Sequence, residues 1–241
     1  MQEKYTFKEI DEEGLATLNA IDKADNFNEW MYQTIKPFCS GKILEIGSGI
    51  GNISKYFIRD KFDITLSDIR EHYGNVLIAK FPSTEVLIMD LVDSEFDSKF
   101  SQLFNTYETV YALNVVEHIK EDHLAIANAK KLLKKDGHLI ILVPAYQFLY
   151  NRFDKELEHY RRYTRKNLNS LLSTKFKVVH SLYFNAFAII GWFFSGKILK
   201  KKTIPANQMA FYNKLVFIFK IIDKILNNLI GLSVISVGKK N

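Results

Sequence analysis

The chain has 241 residues, 47% of them apolar and 25% charged, with only 11 glycines and 4 prolines. That is enough for one well-buried domain, too little for two ordinary ones with a linker, and the wrong composition for a disordered or collagenous chain. A lone cysteine, Cys39, excludes an internal disulfide framework and any multi-thiolate zinc or iron–sulfur centre; it fits a reducing, cytoplasmic setting.

The opening MQEKYTFKEIDEEG lacks a basic segment followed by an apolar core, so no signal peptide is expected. The longest apolar stretch, residues 186–194, falls short of the roughly 20 residues that cross a bilayer. Charge is lopsided. Residues 1–150 carry 16 Lys/Arg against 23 Asp/Glu, and residues 151–241 carry 17 against 4. This asymmetry suggests an anionic surface or substrate near the carboxy-terminal third, with a solvated basic surface as the competing reading. Nucleic acid is not expected, because the aromatics there sit in apolar runs rather than interleaved as a stacking platform.

In chain order, residues 26–36 have helical spacing, with Phe27, Trp30, Met31 and Ile35 able to share a face. Lys42 to Ile46 reads as a short strand running into glycines, and Asn52 to Ile58 opens the next helix. Strands follow at 62–66 and 85–89, separated by a helical stretch through Lys80. Another strand is predicted at 107–113, a helix at 121–133 punctuated by Asp136–Gly137, and a solid apolar strand at 138–143. Beyond Pro144 the stretch 145–163 shows no clear strand. Thr164 can cap a helix over 165–172, although the glutamate of a capping box is missing. Strands at 177–182 and 232–237 bracket apolar helical material. Strands alternating with helices argue for an open, mostly parallel sheet covered on both faces.

The sharpest motif is Glu45-Ile46-Gly47-Ser48-Gly49-Ile50-Gly51. Alternate glycines let the backbone turn tightly and approach a ligand, and the following helix start presents unpaired amides. The dinucleotide pattern G-x-G-x-x-G would need glycine where Asn52 stands, and Glu45 is a poor neighbour for pyrophosphate. A carboxylate there suits a cationic ligand. Asp68 ends the second strand, where it can accept from ribose hydroxyls, and Asp90 follows the third, within reach of an adenine amino group. Helix capping or plain solvation is the competing reading for both acids. The fourth strand ends in Asn114-Val115-Val116-Glu117-His118, and Asn114 can place polar groups near the ligand.

As a set, ILEIGSGIGNIS, LSD at 66–68, MDL at 89–91, NVVEHI at 114–119 and LLKKDGHLIILVP at 132–144 resemble a class I S-adenosylmethionine-dependent methyltransferase. FDKELEHYRRYTRKNL and the run from PANQMAFYNKL to GLSVISVGKK are similar to a bacterial small-molecule-type subgroup, some of whose members belong to cell-envelope or polysaccharide settings. The resemblance implies an α/β, Rossmann-like, open seven-stranded sheet, mostly parallel with the last strand antiparallel, and a helical insertion before that strand. It implies a single domain: a helical cap (1–40), a cofactor-binding core (41–145) and a substrate-side segment (146–241). It also implies S-adenosylmethionine as cofactor, with Glu45, Gly47, Ser48, Gly49 and Gly51 near the methionine portion, Asp68 at the ribose and Asp90 near the base. Glu45 stands where the family often has aspartate, so the carboxylate is kept.

Methyl transfer needs a proton acceptor only when the nucleophile arrives protonated. His118 and His159 are the candidates, since an ordinary imidazole pKa of about 6.5 suits base work. Glu117, Tyr160, Arg161 and Arg162 are candidate substrate residues; the arginines offer forked donors for an anionic group, or they hold the loop against the acidic half. No pair of ligands has metal-binding spacing, so no metal is expected. The insertion sets Phe184, Phe187, Ile190, Phe193 and Phe194 beside Lys197 and Lys200 to Lys202. Leu215, Ile218, Ile222, Ile225 and Leu229 then repeat at helical spacing. It reads as a lid first, with a peripheral membrane face and a homodimer surface as alternatives. The acceptor is expected to be small, lipid-linked or saccharide-linked. A nicotinamide-dependent oxidoreductase and a non-catalytic binder of the same cofactor are the competing functions.

Overall fold

Runs of Ile, Leu and Val separated by helical spacings build strands that are covered from both sides. The computed structural model describes residues 12–198 and 206–241. Its seven strands are β1 (Ile43–Ile46), β2 (Ile64–Asp68), β3 (Val86–Ile88), β4 (Tyr107–Leu113), β5 (Leu133–Pro144), β6 (Lys177–Phe184) and β7 (Ser233–Lys239). They form one sheet in the order β3-β2-β1-β4-β5-β7-β6. The first five pair in parallel, and β7 runs antiparallel to both of its neighbours, β5 and β6. The open, mostly parallel sheet with a reversed last strand is the fold the sequence implied.

Side chains alternate across the sheet with the period of a strand. Leu44 and Ile46 of β1 point into one apolar layer, with Val110, Ile141, Ile126 and Leu172. Ile43 points into the other, with Tyr111, Ile140, Phe57, Leu77 and Phe219. The first layer rests on α6 (Asp122–Leu132) and α8 (Arg165–Ser173). The second rests on α2 (Asp25–Ile35), α3 (Ser54–Arg59), α4 (Glu71–Lys80) and α10 (Ala206–Ile225). The order of strands reverses between β1 and β4, and ligands of such sheets bind beyond the carboxyl ends at that point.

Several segments differ from the sequence reading for identifiable reasons. β5 starts at Leu133, five residues early, because Asp136 adopts a left-handed φ of 65° and kinks the strand instead of marking a turn before it. The capping box of α8 is complete: Asn167 accepts from the Thr164 amide at 2.5 Å while Thr164 Oγ1 accepts from the Asn167 amide. An amide oxygen thus does the work assigned to a missing glutamate. Residues 145–163 hold a short helix, α7 (Arg152–Glu156), with its own box made by Asn151 and Asp154. A second short helix, α5 (Phe96–Phe100), was not foreseen, while α1 (Glu12–Asp22) falls within the segment expected as a helical cap.

The insertion forms α9 (Ala188–Trp192), a wider-wound turn at Phe193–Ile198, and α10. Lys200 to Lys202 and the side chain of Lys197 lie outside the described residues. α10 is fastened at two places. Asp223, buried on the helix, accepts from the Asn185 and Ala186 amides at the end of β6, at 2.6 and 2.8 Å. Asn213 accepts from the Phe27 amide at 3.0 Å on α2.

Candidate functional site

At the end of β1, Gly47, Gly49 and Gly51 all take positive φ, at 69°, 55° and 80°. A side chain would also collide. A Cβ on Gly47 would lie 2.4 Å from Val115 of the β4 loop, and one on Gly51 2.4 Å from the Phe81 ring. Gly47, Ser48 and Gly49 line a cavity of about 1770 Å³; Gly51 does not, so it supports the turn from behind. Ser48 stitches the turn to β2, donating its amide to the Ser67 carbonyl at 2.8 Å and accepting the Ser67 amide on Oγ at 3.2 Å.

Both oxygens of the nearly buried Asp68 carboxylate accept backbone amides, from Gly49 at 2.9 Å and Arg70 at 3.0 Å. Burial raises its pKa against the pull of those amides. Glu45 sits one step deeper, between β2 and β4 in register with Leu66 and Tyr111. The hydroxyl of Ser54, at the start of α3, donates to its carboxyl group. Burial lifts Glu45 to about 7, while Ser54, Tyr111 and Ser48 pull the other way. A cationic ligand in the cavity would favour its ionised form. Asp90 is half-buried on the same wall; its Oδ1 accepts the Val92 amide at 2.9 Å, and burial raises its pKa too. Asn114 ends β4 in a left-handed conformation and is exposed to the cavity.

The wall continues through Glu117, His118 and His159. Glu117 is fully buried, and neither carboxyl oxygen has a hydrogen-bond partner among the described residues. Burial raises its pKa to about 8. The rings of His118 and His159 meet edge to face with centroids 4.6 Å apart. Burial first, then the charges of His159 and Arg70, drives His118 down to about 3. It is therefore neutral at physiological pH and a weak proton acceptor, unlike the ordinary imidazole assumed from sequence. His159 is held by Asp154, whose Oδ1 lies 2.9 Å from Nδ1.

Asp154 escaped the sequence reading. It also accepts Arg162 Nε at 2.7 Å and the Asn151 amide at 2.9 Å. Burial would raise its pKa, but His159 and Arg162 hold it below the usual range. The only signal in the sequence was an acid five residues before a histidine.

The basic turn divides. Tyr160 lines the cavity and donates its amide to the Glu117 carbonyl at 2.8 Å. Arg162 also lines it, but its guanidinium is buried against Asp154 and the Ala145 carbonyl and stacks over Trp192 at 4.6 Å. Arg161 is not on the cavity wall. It donates to Asp122 at 2.9 Å and to the Lys120 carbonyl at 2.8 Å, fastening the loop to the start of α6. Of the two roles considered for the arginines, the geometry gives Arg161 the loop-holding one. Glu117 and His118 lack metal-binding spacing along the chain, but in space His159 joins them, with one ligand atom of each within 4.8 Å of the others.

A family model described as Methyltransferase domain matches residues 14–181. The chain belongs to this methyltransferase family. It is a class I methyltransferase whose donor is S-adenosylmethionine, which decides against the nicotinamide alternative. A methyltransferase from Archaeoglobus fulgidus, described as S-adenosylmethionine dependent, superposes with a TM-score of 0.58 at 17% identity over 88% of this chain and 94% of that one. A methyltransferase of Haloferax volcanii, in complex with the Trm112 activator, gives 0.61 at 13% identity over 96% and 98%. At these identities the likeness concerns the fold. The highly reducing polyketide synthase rstn3 of Aspergillus nomiae is 30% identical over 114 residues, which is 42% of this chain but 4% of that protein. This methyltransferase thus spans only a few per cent of the length of such curated relatives.

Proposed function

We propose that this methyltransferase transfers a methyl group to a small or lipid-linked acceptor, including saccharide-linked molecules, seated at the Glu117–His118–His159 wall. The observation that carries the reading is continuity. One cavity runs from the glycine turn clamped by Asp68, past Asp90 and Asn114, to the imidazole pair. The residues fit the cofactor: a glycine surface that a Cβ would fill, a carboxyl group for a cationic end, and acids at the ends of β2 and β3 for hydroxyl and amino groups. Glu45 and the glycines would hold the methionine portion, Asp68 the ribose and Asp90 the base.

When bound, S-adenosylmethionine supplies an electrophilic sulfonium methyl. The chain's own task is alignment and exclusion of water, which in well-oriented systems supplies up to about 7–11 kcal/mol. α10 contributes directly, with Tyr212, Leu215 and Phe219 on the cavity wall. This is the lid role. The opposite side of α10 supports a lipid-linked acceptor: Phe217, Ile221 and Ile225 are exposed beside Lys214, Lys220 and Lys224. An apolar face edged by lysines suits an anionic bilayer interface. No helix among the described residues is long and apolar enough to cross a membrane.

Thermal shift with S-adenosylhomocysteine against NAD tests the cofactor half, with stabilisation expected for the first alone. A metabolite screen with methyl-labelled cofactor then tests transfer; binding without label transfer to any small or lipid-linked acceptor would favour a non-catalytic binder.

A further inference from the structure

We propose that Glu117, His118 and His159 form a binding site for one divalent transition-metal ion on the wall of the cofactor cavity. One ligand atom from each residue lies within 4.8 Å of the other two. A tetrahedral ion with bonds of about 2.1 Å holds its ligands about 3.4 Å apart, so small side-chain rotations close the set. The site is made by folding. Glu117 and His118 lie on the helical turn after β4, while His159 follows α7, and the Tyr160 amide staples the two segments through the Glu117 carbonyl at 2.8 Å.

Two independent observations point to a cation. The first is Glu117, fully buried with both carboxyl oxygens unpartnered among the described residues. Buried polar atoms in folded proteins are nearly always satisfied, and a bound ion is one of the few explanations for an exception. The second is that the imidazole of His159 is oriented from behind. Asp154 accepts from His159 Nδ1 at 2.9 Å, which leaves Nε2 with the lone pair. A carboxylate or carbonyl behind the ring is the support that metal-ligating histidines carry.

Two arginines bring positive charge to the site: Asp154 takes up that of Arg162 at 2.7 Å, and the charge of Arg70 also acts on His118. Two imidazoles and a carboxylate suit zinc, iron or manganese better than calcium or magnesium, which prefer all-oxygen shells. Three protein ligands leave positions open toward the cavity. An acceptor hydroxyl coordinated there would lose its proton to solvent more readily and attack as an alkoxide. That use rests on the acceptor seat proposed above; the metal site itself does not.

The test uses the full, tag-free chain, stripped with chelator and titrated separately with zinc, manganese and cobalt chlorides. Uptake of one equivalent is expected, with visible cobalt absorption bands. Glu117→Gln and His159→Gln should each weaken uptake by at least about 10-fold, while thermal stabilisation by S-adenosylhomocysteine is retained. Wild-type protein that binds S-adenosylhomocysteine yet takes up no stoichiometric metal overturns the proposal, as do variants that bind metal as tightly as wild type. Stoichiometric metal uptake without S-adenosylhomocysteine binding would sustain the metal site and count against the cofactor reading alone.

Discussion

The carboxylate of Asp68 accepts the Gly49 amide at 2.9 Å, so the acid that ends β2 shapes the glycine turn that ends β1. Under the proposed reading, ligand contact and turn geometry are joined in one side chain. Hydrogen bonds to a charged partner contribute about 1.5–3 kcal/mol each, and Asp68→Asn removes the charge while keeping the shape. We expect S-adenosylhomocysteine binding, measured by calorimetry, to weaken by about 10- to 100-fold, which is that free energy expressed as affinity. Unchanged affinity in a folded variant would mean that the carboxylate serves the turn alone.

Glu45 gives the site a pH dependence with opposite signs in the free and bound protein. Burial holds its pKa near 7, against an ordinary 4.5. The folded chain therefore keeps a proton that the unfolded chain releases, and unliganded stability falls as pH rises through the window from 4.5 to 7. A ligand bearing an ammonium group favours the ionised carboxylate, so its affinity rises with pH through the same group. Stabilisation by S-adenosylhomocysteine should be larger at about pH 8 than at about pH 6, and Glu45→Gln should flatten the difference. A pH response that survives in Glu45→Gln would assign it to another group.

What was legible in the sequence is what is encoded locally. The solid run HLIILV, the alternation around Ile43 and Leu44, and the glycines after Glu45 each carry their own reason to be a strand or a turn. All seven strands followed from such signals, while the reversal of the last one was implied only by the family resemblance. The helices that were missed are short: α5 and α7 have five residues each, too few to show a period. The site was legible where one segment supplies it and illegible where folding assembles it. Nothing in FDKELEH announces that Asp154 will clamp both His159 and Arg162, or that His159 will meet His118. Burial was the other blind spot, since an imidazole read as ordinary in sequence becomes a weak base once desolvated.

The two neighbouring arginines should respond differently to substitution. Arg162 and Asp154 form a buried pair at 2.7 Å, with side-chain exposures of 1% and 0%. Removing one partner of such a pair strands the other charge and costs about 3–5 kcal/mol. Arg161 pairs with Asp122 at a site where its side chain is 32% exposed, and solvent-screened pairs contribute about 0–1 kcal/mol. In urea denaturation Arg162→Met should lose several-fold more stability than Arg161→Met. Equal losses would show that the loop, not the buried pair, is the structural element.

The outer face of α10 makes a prediction about membranes that is separable from the helix's place on the cavity wall. Phe217, Ile221 and Ile225 are between 55% and 73% exposed, while Val216, Phe219 and Asp223 on the other side are buried in the fold. Replacing Phe217 and Ile221 by serine therefore removes apolar surface without disturbing either fastening of the helix. If this face lies in an anionic interface, the wild-type chain should pellet with phosphatidylglycerol vesicles and not with phosphatidylcholine ones. Each lysine near such a surface contributes about 1 kcal/mol, and the attraction fades within a Debye length of about 8 Å at physiological salt. Binding should accordingly weaken as salt is raised, and the double serine variant should stay in the supernatant while still being stabilised by S-adenosylhomocysteine. Failure of the wild type to pellet on anionic vesicles even at low salt would leave α10 as a lid and remove the support for a lipid-linked acceptor.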